Sequence, residues 1–380
     1  MNTGKYIFAQ VIDFIPRYQF DKLVKKYKGD WHAKELSCYN QLLQLLFGQI
    51  TCCDSLRDIC MCLEAHSGIL YHLGIRKHVT HSSLSRANEN RDYRIYEELG
   101  MYLIGIVRPM YSNTMVAEIT IDNVLYALDS TTISTSIVLA AWALGKYSKG
   151  AVKMHTLLDL RGSIPANIHI TDGKWHDSNE LDNIVPEPLA FYMMDKAYVD
   201  LLALYRFHKA GAYWISRPKD NMRYEVTDHR HDFDPSTGIC GDFNIRLTTF
   251  RSKKLYPETI RMVTYHDSEM DNDVVFITNN FEISALEVAN LYRHRWDIEV
   301  FFYDKYIIMQ SEVRSVPDNQ RLVRLLLAST SHNINQCPRF LSQSRRSLLF
   351  SHSLSEVRFG TRSAYAFSSA SRFAFESALA

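Results

Sequence analysis

The sequence predicts an α/β protein in two parts: an all-helical region over residues 1 to about 110, then a mixed-sheet domain from about 116. Apolar residues recur at helical spacing in QLLQLLFGQI and SLRDICMCL, with no alternating run between them. From about 116 the texture turns to VLYALDSTTI, VKMHTLLDL and ANIHITDG, short runs of the kind that form strands. Amphipathic stretches then interleave with further strands, an order that builds a sheet with helices packed on it.

In the first part, the Thr51 to Asp54 region reads as a break, with Asp54 or Ser55 placed to cap the next helix. HSSLSRANENRDYRIYEEL starts another helix, with Ser82 or Ser83 as its cap. In the second part, Arg161-Gly162 is a turn between two strands. HDSNELDNIV reads as a helix, FYMMD as a short buried strand, VDLLALYRFHKA as an amphipathic helix and GAYWISRP as a strand. Residues about 220 to 282 carry the strand signals NIRLTTF, IRMVTYH and VVFITNN, a β-rich insertion. A last helix is expected from Ser284 through at least Phe302. Beyond it the composition shifts: Ser supplies 15 of the 70 residues from 311 onward against 18 of the 310 before, and those 70 hold nine Arg and no Lys. Residues 311–380 therefore read as an atypical Ser/Arg-rich tail, either genuine or the product of a reading-frame change near Phe302, and are not expected to pack on the core.

Apolar residues at 46 % and charged ones at 22 % exclude a wholly disordered chain. The net charge of +1 announces no nucleic-acid partner, so any DNA surface must come from local clusters. Cysteines at 38, 52, 53, 60, 62, 240 and 337 form no pair of CxxC knuckles, which points to free thiols in a reducing cytoplasm. MNTGKYIFAQVIDF is unlike a signal peptide, and the longest apolar runs fall short of the roughly 20 residues of a membrane span. A soluble, intracellular protein without a membrane partner is expected. No G-x-S-x-G, Walker loop or G-x-G-x-x-G is present.

Asp129 follows LYAL, and Asp195 follows FYMM. An acid at the end of a buried strand is costly unless a metal or hydrogen bonds satisfy it. Two such acids on neighbouring strands converge at the sheet's edge, where α/β sites commonly lie. Taken singly, either also suits a cap or a turn. In NLYRHRWDIEVFF, Tyr292, Arg295 and Glu299 fall at i, i+3 and i+7, within an arc of about 60° on a regular helix. Surface pairing of Arg295 with Glu299 explains that helix equally well by itself. Three carboxylates suit two divalent ions and phosphodiester chemistry, and Mg²⁺ suits such oxygen-rich sites. Arg295 could fork onto a phosphate, with Tyr292 donating to one.

Other residues are candidates of lesser rank. His155, His169 and His176 suit a satisfied structural or DNA-contacting role better than a metal-ligating one, and Asp159, Asp172 and Asp177 have turn or cap roles. Asp297 adjoins Glu299 but falls on another helix face. Ser85, Arg86, Asn88 and Arg91 suit either DNA contact in a helix-turn-helix or a solvated face. Lys146, Lys149 and Lys153 form a second basic cluster, and Lys196 beside Asp195 joins these phosphate-binding candidates.

YALDSTTI, KGAVKMHTLLDLRGSIPANIHITDGKWHD, MMDKAYVD and YRHRWDIEVFF together resemble the DDE transposases of bacterial insertion sequences, in the insertion-sequence-four (IS-four) family. The resemblance covers roughly residues 1 to 302. It implies an RNase H-like core with a β-rich insertion before the last acid, and Asp129, Asp195 and Glu299 as catalytic, metal-binding residues. It further implies two Mg²⁺ ions, for which Mn²⁺ substitutes, and an N-terminal region that binds DNA. Cut-and-paste transposition at the terminal inverted repeats of an element, by a homodimer acting on double-stranded DNA in the bacterial cytoplasm, follows from it. The family's signature helix reads Tyr, two residues, Arg, three residues, Glu, six residues, Lys. Tyr292, Arg295 and Glu299 match, whereas the Lys position holds Tyr306 with Lys305 beside it. Two alternatives stay open: a cleavage-defective DNA-binding relative acting as an inhibitor, and a metal-dependent nuclease without strand transfer.

Overall fold

The computed structural model describes residues 6–302, except 52, 54, 112–115, 117, 118, 120, 136–149, 269 and 270. Lys146, Lys149, Lys305, Tyr306 and the Ser/Arg-rich tail lie outside the described residues. The chain divides into two compact units, one up to Gly100 and one from Met101.

The first unit holds helices α1 (Ile7–Ile12), α2 (Arg17–Lys26), α3 (Cys38–Ile50), α4 (Leu56–Ala65) and α5 (His81–Asn90), with the start of α6 (Arg94–Val107). Nearly all of α3 is buried, which explains why its apolar residues do not keep to one stripe. Gly48 lets α4 approach closely, since a Cβ there would meet Ile59 at 2.2 Å. Ser55 caps α4 through the amide of Asp58, as one of the two expected caps. The cap of α5 is Thr80 rather than Ser82 or Ser83, two or three residues upstream. The expected single helix from there breaks into two, because Arg91 adopts an extended backbone after Asn90.

Asn88 and Arg91 are corrected from DNA contacts to interior groups. They are 5 % and 9 % exposed. Gln41 Nε2 donates to Asn88. Arg91 donates to Gln41 Oε1 at 2.6 Å, and Tyr96 donates to the same oxygen at 2.9 Å. Buried polar groups survive only when so partnered. Arg86 stays exposed, donating to the Ser82 carbonyl at 3.3 Å, and Ser85 is half-buried.

The second unit is built on one nine-stranded sheet. The strands are β1 (Leu125–Thr135), β2 (Gly150–Asp159), β3 (Ile164–Asp172), β4 (Phe191–Met194), β5 (Tyr213–Ser216), β6 (Tyr224–Arg230), β7 (Ile239–Leu247), β8 (Ile260–Asp267) and β9 (Asn272–Thr278). Their order is β3-β2-β1-β4-β5-β9-β8-β7-β6. β3, β2 and β1 pair antiparallel, while β1 with β4 and β4 with β5 pair parallel. This is an RNase H-like mixed sheet. Parallel neighbours need crossovers. One runs through the 3₁₀ turn Asp177–Asn183 and the other through α7 (Leu201–Lys209). The first of these was expected as an α-helix. The short run 177–183 closes 3₁₀ bonds instead, begun by the His176 ring accepting from the Ser178 amide.

β9 pairs antiparallel with β5, so the expected insertion at about 220–282 continues the core sheet. One hydrophobic cluster accordingly runs through both: Tyr126, Leu128, Tyr192, Met194, Phe207 and Trp214 in the core, with Ile245, Ile260, Met262 and Ile277 in the extension. Each such side chain contributes on the order of 1.5–3 kcal/mol when fully buried. Phe207 of α7 packs edge-on to Tyr192 at 4.9 Å, which holds the crossover helix on the sheet.

A buried ion pair fixes the far end of this extension. Arg261 donates to both oxygens of Asp242 at 2.9 and 2.7 Å. It also donates to the Ile283 carbonyl at 2.6 Å. Ile283 precedes Ser284, whose side chain and Glu287 form a capping box at the start of α9 (Ala285–Arg293). The extension thus sets where α9 begins. The expected unbroken helix through Phe302 is interrupted by a 3₁₀ turn at His294–Trp296, and helix resumes over 297–302. Among the described residues no helix is long and apolar enough to cross a membrane, and Cys53, Cys60, Cys62 and Cys240 are free thiols.

Candidate active site

Asp129 does not end its strand: β1 continues to Thr135. What ends near it is the pairing with β4, which runs from Leu125 opposite Phe191 to Leu128 opposite Met194. Asp129 and Asp195 therefore each follow the last paired residue of two adjacent parallel strands, at the same sheet edge. Asp195 opens the 3₁₀ turn Lys196–Tyr198, yet its carboxylate makes no capping bond there. Asp129 Oδ1 accepts from the Ser130 amide at 2.7 Å.

The stretch from Tyr292 to Phe302 brings the third acid. Ile298, Phe301 and Phe302 are buried, as the sequence pattern requires, and leave Glu299 half-buried. Arg295 ties the parts together. Its Nη1 donates to Asp129 Oδ2 at 2.7 Å and its Nη2 to Glu299 Oε1 at 3.1 Å. The bland i, i+4 pair is present, but the same guanidinium also reaches a carboxylate 166 residues away.

Burial pushes the Asp129 carboxyl up to about 6, against the pull of Arg295 and the Ser130 amide, with Glu299 and Asp195 adding to the rise. Burial also raises Glu299, opposed by Arg295, and Asp195 adds to it. Each carboxylate thus sits within electrostatic reach of the others. The donors are hard carboxylate oxygens, two of which already hold a cation, so their chemistry fits a divalent ion. As placed, Asp129 and Glu299 close on the guanidinium. Among the described residues no group of three or more His, Cys, Asp or Glu is assembled to hold a metal.

Tyr292 is corrected from a phosphate donor to a wall of the site. It packs on Phe276 at 4.9 Å, and its hydroxyl is buried beside Arg295 with no well-formed hydrogen bond. Burial pushes it up to about 12. Lys196 remains at the surface, 3.4 Å from Asp220. These two line an open depression with Asp195, Ala197, Lys219 and Asn221.

Lys153 is not a free phosphate clamp. It donates to Asp177 at 3.2 and 3.3 Å and to the Trp175 carbonyl at 3.1 Å. Ser130 donates to the same Asp177 carboxylate at 2.7 Å. This brace behind Asp129 escaped sequence reasoning, which assigned Asp177 to a cap. The available signal was β alternation, which puts Lys153 and His155 on one face of β2.

Among the described residues none of the three histidines belongs to a group of metal-type ligands, and His155 Nδ1 is buried without a hydrogen bond, 3.7 Å from Asp177. His155 shares a hydrogen bond with Thr171 at 3.1 Å, and burial pulls it down to about 4, so it is neutral. His169 pairs with Glu180 at 2.7 Å and is raised by that bond. His176 is the cap already described. Asp159 binds Arg161 and Arg108, Asp172 accepts from the Lys174 and Trp175 amides, and Asp297 pairs with His294 at 2.9 Å.

A protein-family model described as "Transposase DDE domain" matches residues 122–329, more than half of the chain. A second, "Domain of unknown function (DUF4372)", matches residues 3–76. Among relatives, "Putative transposase y4zB" of Sinorhizobium fredii is 30 % identical over 208 residues, 53 % of this chain and 57 % of that one. "Probable transposase for insertion sequence element IS5377" of Geobacillus stearothermophilus is 29 % identical over 181 residues, 47 % of this chain and 46 % of that one. The matches span about half the length of these relatives. A piggyBac transposase synaptic complex with hairpin DNA aligns at a TM-score of 0.39 and 9 % identity, over 93 % of this chain and 88 % of that one.

Proposed function

The chain belongs to the DDE transposase domain family, and from that premise we propose that it binds the terminal inverted repeats of an insertion sequence of the IS-four type and cuts and joins DNA there. Asp129, Asp195 and Glu299 are the metal-binding, catalytic carboxylates in this reading. The observation that carries it is the placement of Asp129 and Asp195 just past the paired ends of β1 and β4, with Glu299 joined to Asp129 through Arg295. Two Mg²⁺ ions, or Mn²⁺ in their place, would supply activation of a water or 3′-hydroxyl and charge stabilisation at the leaving oxygen.

The chain's own residues do the rest. Asp129 is held by Ser130 on its own strand, and the Ser130–Asp177–Lys153 brace stiffens that strand from behind. Rigid carriers of this kind keep reacting groups in register. Lys196 and Lys219 offer positive charge beside Asp195, where a backbone phosphate would lie. Arg86 in the helical unit is the remaining exposed member of the expected end-binding cluster. A homodimer on paired DNA ends completes the proposal.

The test uses labelled DNA bearing the inverted repeats that flank the chain's own gene, with target plasmid and Mg²⁺. Wild type should cut the ends and join them to target. Asp129→Asn, Asp195→Asn and Glu299→Gln should each abolish both steps while still shifting the labelled ends in a gel. Cleavage by any one variant removes that residue from the triad, and cutting without joining replaces the transposase reading with a nuclease.

A further inference from the structure

We propose that Arg295 is the resident counter-ion of the carboxylate site, and that its transfer to a DNA phosphate is coupled to metal binding by Asp129 and Glu299. The proposal rests on reading these carboxylates as a metal site. One guanidinium spans two acids from different elements, at 2.7 Å to Asp129 Oδ2 and 3.1 Å to Glu299 Oε1. The other Asp129 oxygen is engaged by the Ser130 amide. The Arg295 side chain is 8 % exposed and is walled by the rings of Tyr292 and Trp296, with centroids at 5.8 and 5.1 Å.

Two half-buried acids held by one guanidinium stay ionised side by side more readily with a cation between them. Without metal, Arg295 is that cation. A divalent ion requires oxygens that Arg295 now holds, and it repels a guanidinium a few ångströms away. The two cations therefore compete. A phosphate is the other anion that the planar guanidinium fork fits, and it is the group a DNA substrate brings. A phosphate that draws Arg295 away frees Asp129 and Glu299 for metal. By linkage, the factor by which DNA tightens metal binding equals the factor by which metal tightens DNA binding. The site thereby holds its ions weakly until DNA is present.

The test is direct Mn²⁺ binding to the full chain, read from the electron paramagnetic resonance of free Mn²⁺, with folding checked by circular dichroism. Without DNA, Arg295→Gln should bind Mn²⁺ more tightly than wild type, by about 5- to 150-fold, the range usual for coupled sites. Arg295→Lys, whose ammonium is a single point that cannot span both acids, should fall between the two. A short DNA duplex should tighten wild-type binding but leave Arg295→Gln unchanged. Equal or weaker binding by Arg295→Gln overturns the proposal. If that variant does not fold, equal or weaker binding by Arg295→Lys overturns it instead. In either case, Mn²⁺ binding that is lost in Asp129→Asn and Glu299→Gln leaves the metal-site reading standing. Absence of Mn²⁺ binding in every form, with and without DNA, removes both.

Discussion

Replacing Arg261 with Met tests how the sheet extension supports the site. Among the described residues Asp242 would be left with Arg230, 3.5 Å away, in a place where its side chain is 2 % exposed. The Ile283 carbonyl at the threshold of α9 would lose its 2.6 Å bond. Breaking a buried pair from one side costs about 3–5 kcal/mol, because the surviving charge stays buried. Arg230 offsets part of that, so a loss near the lower end, about 3 kcal/mol, is expected. Asp242→Leu should cost a similar amount, since it strands a guanidinium among carbonyls. The double variant Arg261→Met, Asp242→Leu removes both charges and should lie within about 1–2 kcal/mol of wild type. Urea unfolding followed by far-ultraviolet circular dichroism and by tryptophan fluorescence measures this, with the fully buried Trp214 as the core probe. Single variants that lose less than about 1 kcal/mol would refute the reasoning, as would a double variant that loses the sum of both.

His155 predicts a pH dependence. Its folded value, pulled down to about 4, lies below the ordinary 6.5, so the unfolded chain takes up a proton that the folded chain refuses. Its contribution is full above about 6.5 and is lost as pH falls toward 4, which at about 1.4 kcal/mol per pH unit amounts to about 3 kcal/mol. Urea midpoints at pH 7 and pH 4.5 should therefore differ less in His155→Gln than in wild type, and an unchanged difference contradicts the assignment. Ser284→Ala removes the capping box of α9 and should cost about 1 kcal/mol. Hydrogen exchange should quicken at the first-turn amides of α9, whereas unaltered protection there would count against the cap.

The parts of the fold written in short-range periodicity were legible. The strand–hairpin–strand order, the crossover helix over 201–209 and the buried face of Ile298, Phe301 and Phe302 all follow from side-chain spacing. Asp129 and Asp195 stood out because each follows an apolar strand. What spacing could not carry was pairing at long range. The union of β9 with β5 depends on contacts between segments some 60 residues apart, so the extension read as an insertion of its own. The double role of Arg295 was hidden for the same reason, since only the Glu299 half is local. Asn88 and Arg91 were misplaced because a polar helix face looks the same whether water or Gln41 satisfies it. Tyr292 was misread because the 3₁₀ turn and the Phe276 contact leave no trace in helical spacing.

Asp129, Asp195 and Glu299 are proposed to share one metal centre. Iron-directed cleavage of the polypeptide tests it without relying on turnover. With Fe²⁺, ascorbate and a short DNA duplex, radicals formed at the bound ion should cut the backbone near residues 129, 195 and 299, and excess Mg²⁺ should suppress all three cuts together. Cuts at one of these places alone, or clustered elsewhere, would contradict the account.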